Sequence, residues 1–217
     1  MNKQISIEEA VAKIQDGMTV MIGGFLGVGA PERLIDALVA KGVKDLTIIA
    51  NDTAFVDKGL GKLVVSKQAK KVIVSHIGTN KETGRQMTAG ELDVVLTPQG
   101  TLAEQVRSGG AGLGGVLTPI GLGTVVEEGR QKITVQGKEY LLFEPLRADV
   151  ALIYGSIVDT AGNVFYGKTT RNFNPLIATA ADVVICDAQK VVPVGELDPH
   201  LVMTPGILVN YIVGGQA

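Results

Sequence analysis

The run from Thr19 to Ile22 empties into a loop with glycine at 23, 24, 27 and 29, and Pro31 then opens the next periodic segment. A short apolar strand, a glycine-rich turn and a helix start are the parts from which an open α/β protein builds a site for phosphate-bearing ligands. Phe25 stands out within the loop. A cradle of backbone N–H groups has no use for a large apolar ring.

The pattern continues along the chain. Apolar, β-branched runs over 46–50, 72–75, 92–97, 148–156, 183–186 and 208–213 are short, and helical signals separate several of them. Strands of this kind are buried on both faces, so the reading is α/β, an open, mostly parallel sheet flanked by helices. Ser6 and Glu9 have capping-box spacing and predict a helix over 7–15. A helix over 31–40 ends at Gly42, and 62–68 suits a short helix. Thr101, with Glu104 three residues on, predicts a cap for a helix reaching about Arg107. The glycine-rich stretch 109–123 suits neither helix nor strand. Alternation around Gln136 and Gly137 predicts a β-hairpin near 132–143. Asn174 is a candidate N-cap for a helix from about Leu176. No repeat of 20–50 residues and no linker is visible, so 1–217 reads as a single domain.

Composition excludes several classes. Twenty basic and 22 acidic residues leave a net charge of −2 with no basic stripe, which argues against a nucleic-acid partner. No apolar run approaches the ~20 residues that span a bilayer, and the opening six residues lack a signal-peptide pattern, so no membrane role is expected. Cys186 is alone and sits in an apolar run, which suits a buried thiol and a cytoplasmic location. Two histidines and one cysteine predict no metal site.

Two familiar motifs fail on context. Gly162 to Thr169 fits the P-loop expression, but its Val164, Phe165 and Tyr166 favour an extended strand, and Pro175 follows where a helix should run. The loop at 23–29 has the wrong glycine order for a dinucleotide fingerprint, and no acidic residue ends the second strand in the required place. Neither His76 nor His200 has the company of a catalytic triad, and a satisfied or solvent-facing role suits both. Asn51, Asp52 and Gln99 lie just past predicted strand ends, the edge where open α/β sheets bind ligands. Their amides suit donation to a developing oxyanion; turn capping is the competing account for Asn51 and the better one for Asp52.

Residues 16–31 resemble the CoA-binding signature of family I CoA-transferases, specifically their α (A) subunit of the acetate/acetoacetate type. Stretches 49–52, 96–104, 107–112, 121–124, 162–163 and 171–174 agree in order, so the resemblance covers about residues 5–213. It implies an open α/β sheet similar to sugar-phosphate isomerase-like folds, and an enzyme built from α and β subunits, often α2β2. It implies transfer of CoA between short-chain carboxylic acids such as acetate, acetoacetate and butyrate, with succinate or 3-oxoadipate as alternative acids. The reaction runs through a glutamyl-CoA thioester, with acyl-CoA as substrate and no permanently bound cofactor. The nucleophilic glutamate of that family lies in a Ser-Glu-Asn-Gly motif on the β subunit. No glutamate of this chain precedes an asparagine, and Glu127, Glu128 and Glu144 are only decoys. The resemblance therefore implies that this chain lacks the nucleophile. Gly23, Gly24, Phe25, Leu26, Gly27, Val28 and Gly29 would place CoA, Asn51 and Gln99 would act as oxyanion or orienting donors, and Gly109 to Gly115 would shape the acyl pocket or the subunit interface. A non-catalytic ligand-binding or regulatory subunit on the same fold is the alternative function.

Overall fold

A computed structural model describes residues 3–215 of the chain. In chain order these form α1 (Ile7–Ala12), β1 (Thr19–Ile22), α2 (Glu32–Lys41), β2 (Leu46–Ile49), α3 (Gly61–Val65), β3 (Ala69–Val74), α4 (Lys81–Thr88), β4 (Asp93–Leu96) and α5 (Gln99–Gly110). There follow β5 (Val116–Thr118), β6 (Lys132–Val135), β7 (Lys138–Phe143), β8 (Ala148–Asp159), β9 (Val164–Phe165), α6 (Asn174–Ile177), β10 (Ala181–Val192) and β11 (Tyr211–Gly214).

The main sheet runs β11-β10-β8-β1-β2-β3-β4, parallel throughout, with β9 added antiparallel on β8. Side chains alternate between its two faces. Val20 and Ile22 pack with α2 residues Leu34, Ile35 and Leu38 on one side, while Met21 packs with Leu102 and Val106 of α5 on the other. Burial on both faces is what makes these strands read as continuous apolar runs. After β1 the chain builds β2, β3 and β4 outward on one side, then returns to lay β8 on the other side of β1. The strand order thus reverses between β1 and β8. In an open parallel sheet, the crevice beyond the strand C-termini at such a reversal is where ligands bind.

The hairpin near 132–143 is present as β6 and β7, turning at Gln136 (φ 51°) and Gly137 (φ 75°), and β5 extends it to a separate three-stranded antiparallel sheet. Several expectations need correction. α1 stops at Ala12, short of Gln15. Thr101 does not cap α5: the helix starts at Gln99 behind Pro98, and the Thr101 hydroxyl is buried in it without a hydrogen-bond partner. Glu104 instead bonds Arg107 one turn on, at 2.7 Å. α4 escaped the periodicity because its buried positions are Thr83 and Gln86 rather than aliphatic. Asn174 is not an N-cap; it lies inside α6 behind Phe173, and its side chain is used elsewhere. Gly109 and Gly110 are helical. A Cβ on Gly109 would come within 2.0 Å of the Leu146 carbonyl oxygen and one on Gly110 within 2.2 Å of the Thr179 hydroxyl, so both let α5 pack closely.

Candidate functional site

The loop after β1 is the centre of the C-terminal edge. Gly23 continues the ladder by donating to the Leu152 carbonyl of β8 at 3.0 Å. Phe25 and Val28 then close a tight turn through reciprocal backbone bonds of 3.0 and 2.9 Å. Leu26 (φ 48°) and Gly27 (φ 77°) form its tip, the left-handed pair a type I′ turn demands. For Leu26 that conformation costs about 1–2 kcal/mol. Asp52 helps hold it, accepting from the Leu26 N–H at 3.0 Å. Phe25 is 51% exposed and Val28 42%, so the tip presents apolar surface outward.

The rest of the loop is pinned from below by residues 172 and 174. Asn172 accepts from the Gly24 N–H at 3.2 Å and donates to the Val28 carbonyl at 2.9 Å. Asn174 donates to the carbonyls of Gly29 and Thr170 at 3.0 and 2.8 Å and accepts from the Tyr154 N–H at 2.9 Å. Two glycines are required by this clamp. A Cβ on Gly23 would lie 1.8 Å from Asn174 Oδ1, and one on Gly29 (φ 71°) would lie 2.7 Å from the Thr170 carbonyl oxygen. Sequence reading missed the clamp; its signal was two asparagines flanking Phe173, which is itself buried in the core.

Asn51 and Gln99 come from the ends of different strands and meet beside this loop. Asn51, 3% exposed, donates through Nδ2 to the Gly24 carbonyl at 2.7 Å. Gln99 Nε2 donates to Asn51 Oδ1 at 2.5 Å. Gln99 itself is exposed, in the first turn of α5. Ser75, just past β3, touches both: its hydroxyl lies 2.8 Å from the Asn51 carbonyl and hydrogen-bonds Gln99 Oε1. Asp52 keeps its turn role, accepting from the Ala54 N–H at 2.7 Å, in addition to its grip on Leu26.

A second turn, from Phe55 to Lys58, projects after β2 next to the first. The Lys58 side chain lies over Gly27, where a Cβ would come within 2.7 Å of it. Phe55 is 38% exposed. His76 is exposed beside these turns, while His200 sits in the single turn Pro199–Leu201 with its backbone N–H on Asp198. The P-loop look-alike is spent on β9 and a 3-10 turn over Lys168–Arg171.

Cys186 is buried in β10 and burial pushes its thiol pKa well up, which removes it as a nucleophile at neutral pH. Burial also raises the pKa of its neighbour Asp187, offset by Arg33, whose Nε donates to Asp187 Oδ1 at 2.7 Å. Among the described residues no group of three or more His, Cys, Asp or Glu could hold a metal ion, and no helix is long and apolar enough to cross a membrane.

What converges at the switch point is thus a rigid glycine turn, an apolar tip and two coupled amides. Such a site can orient an ester- or thioester-like carbonyl and stabilise negative charge on its oxygen. Its one carboxylate among the residues described above, Asp52, is buried and taken up by the Leu26 and Ala54 N–H groups.

Comparison with known proteins gives a consistent picture. The family model described as coenzyme A transferase matches residues 4–215. The α subunit of an acetate CoA-transferase from Escherichia coli K12 is 56% identical over 214 residues, covering 99% of this chain and 97% of that protein. The α subunit of an acetoacetyl-CoA:acetate/butyrate CoA transferase from Clostridium acetobutylicum is 55% identical over 212 residues, covering 98% and 97%. Among solved structures, an acyl-CoA transferase from Escherichia coli O157:H7, in a thioester complex with CoA, superposes with a TM-score of 0.87 at 25% identity. That match covers 98% of this chain but 47% of the other, so the chain spans about half the length of that enzyme.

Proposed function

The chain belongs to the coenzyme A transferase family, and from that premise we propose that it is the α subunit of a heteromeric transferase moving CoA between a short-chain acyl-CoA and a free acid of the acetate, acetoacetate or butyrate class. The single observation that carries the proposal is the meeting of Asn51 and Gln99, 2.5 Å apart, beside the Gly24 turn, in a chain whose sequence has no Ser-Glu-Asn-Gly motif. Half of an acyl-transfer site is built here. The other half belongs to a β subunit carrying the glutamate.

The chemistry divides accordingly. The glutamate carboxylate of the β subunit attacks the thioester carbonyl, whose oxygen takes up negative charge. Gln99 Nε2 spends one hydrogen on Asn51 and, among the described residues, makes no second hydrogen bond. That second N–H is a donor for the oxyanion. Removing one such donor costs about 10²–10³ in rate in comparable sites. The intermediate expels CoA thiolate and leaves an acyl-glutamyl anhydride. The thiolate then attacks the glutamyl carbonyl, the free carboxylate departs, and a glutamyl thioester holds the CoA. A second acid reverses the sequence. The 23–29 turn serves acyl-CoA, with its glycines admitting close backbone approach and Phe25 adding apolar contact. Acyl-CoA is substrate, and no resident cofactor takes part.

The test is transfer from acetoacetyl-CoA to acetate. Co-expressed with its β partner, the chain is expected to be active; alone, it is expected to be inert. Transfer by the isolated chain would overturn the divided site, and no transfer by the pair over a panel of short acids would overturn the activity.

A further inference from the structure

From the direction of each hydrogen bond around Gln99, we infer that Ser75 is a positioning residue: Gly24 and Asn51 set the polarity of the Gln99 amide, and the Ser75 hydroxyl, donating to Oε1, pins its other end and so holds the free Gln99 N–H toward the reacting carbonyl. The inference rests on the proposed role of Gln99. Gln99 is exposed, and a free glutamine side chain there would sample many rotamers and both amide orientations. Three groups remove that freedom. The Gly24 carbonyl can only accept, so Asn51 must turn its Nδ2 toward it, at 2.7 Å. Asn51 Oδ1 then faces Gln99, which must answer with Nε2, at 2.5 Å. Gln99 Oε1 is thereby turned to the Ser75 hydroxyl, which must donate to it.

The Ser75 hydroxyl has a single proton and a second acceptor within reach, the Asn51 carbonyl at 2.8 Å. That carbonyl is already served by the Ser75 backbone N–H at 2.9 Å, as part of the β2–β3 ladder. Gln99 Oε1, by contrast, has no other donor among the described residues, so the hydroxyl proton goes to Gln99. The result is a directional chain, Ser75 to Gln99 to Asn51 to Gly24, in which the carbonyl of the glycine turn sets one amide orientation and the serine at the other end holds the Gln99 side chain in it. Reversing Gln99 would set Oε1 against Asn51 Oδ1, two acceptors face to face. Ser75 sits at the end of β3, anchored by the ladder, so its hydroxyl is held independently of the ligand. Nothing in the local sequence marks it. It becomes legible only when the ends of β2, β3 and β4 are brought side by side.

The experiment uses the α–β complex and compares Ser75→Ala, Ser75→Thr and Gln99→Ala, singly and with Ser75→Ala combined with Gln99→Ala. Ser75→Ala is expected to lower kcat about 10- to 100-fold. KM for acyl-CoA should stay within about twofold and the melting temperature unchanged, because the lost bond acts on the transition state. Ser75→Thr, which keeps the hydroxyl, should recover most of the rate. The double variant should be no slower than Gln99→Ala alone, since both changes remove one device. If Ser75→Ala keeps full kcat while Gln99→Ala is crippled, the positioning role is wrong and the site reading stands. If Gln99→Ala also keeps full kcat, the site reading itself fails. Full additivity in the double variant would likewise overturn the inference.

Discussion

The turns after β1 and β2 follow one plan thirty residues apart: Phe25 corresponds to Phe55, Val28 to Lys58 and Gly29 to Gly59. Both pinch closed between the aromatic and the residue three on, and both carry a left-handed glycine at the exit, Gly29 at φ 71° and Gly59 at φ 56°. They differ in what lies beneath. At the base of the first, Gly23 leaves room for Asn174, and the turn is clamped by asparagines from the distant 172–174 segment. At the base of the second stands Thr53, fully buried, whose hydroxyl meets Thr83 of α4 at 3.0 Å. The first turn is tied across the switch point to the far half of the sheet; the second is tied to α4, the helix after β3, on its own half. The lesson is that one backbone device can be braced in two ways, across the switch point or within one half of the sheet.

The largest effect expected from breaking this contrast is at the base. Gly23→Ala must displace Asn174 from its bonds and should cost about 3 kcal/mol of stability, whereas Thr53→Ala loses one buried hydroxyl bond and should cost about 1–2 kcal/mol. Urea denaturation measures both, and equal losses would show that the two bases are braced alike. Next come the exits. Gly29→Ala meets backbone at 2.7 Å, while a Cβ on Gly59 has its nearest neighbour, the Ala54 methyl, at 3.3 Å and backbone no nearer than 3.5 Å. The first should cost about 2–3 kcal/mol and the second about 1 kcal/mol, the left-handed strain alone.

The tips separate function from packing. Phe25→Ala should raise KM for acyl-CoA about fivefold and Phe55→Ala less than twofold, with stability changes within about 0.5 kcal/mol for these exposed positions. Steady-state kinetics on the α–β complex decides it, and an equal rise for both would make the second turn part of the acyl-CoA site. The smallest effect is one of pH, and it lies on the exposed side of α4, the helix that braces the second turn. On α4 the Arg85 guanidinium hydrogen-bonds Glu82 and Glu91 and holds each carboxyl down to about 2. Carboxylates depressed in the folded state contribute stability above their unfolded pKa and lose it as pH falls toward the folded value. Arg85→Met should therefore flatten the fall in melting temperature between about pH 5 and pH 2. An unchanged slope would show that the cluster adds no pH-dependent stability to the fold.

How much of this was legible in the sequence follows from the range of the forces involved. The strands were visible because burial on both faces writes apolar, β-branched runs into the chain, as in β1, β2 and β10. The hairpin was visible because Gln136 and Gly137 suit a left-handed turn. Asn51 and Gln99 could be placed at strand ends for the same local reason. α4 was missed because amide and hydroxyl groups fill its buried side, and Thr101 was misread because Pro98 opens the helix without a side-chain cap. Asn174 passed for a cap because capping is local, whereas its real partners, Gly29 and Tyr154, are far along the chain.

By itself, then, the sequence determined an open α/β sheet, the glycine turn after β1 and the absence of a Ser-Glu-Asn-Gly motif, since patterning, turn chemistry and composition act over a few residues. Only the tertiary structure decided that the turn lies at the reversal of strand order, that Asn172 and Asn174 clamp it, and that Ser75, Gln99, Asn51 and Gly24 form one directional chain. Hydrogen-bond polarity is set by which acceptors and donors face each other in space, and those partners come from the ends of β1, β2, β3 and β4.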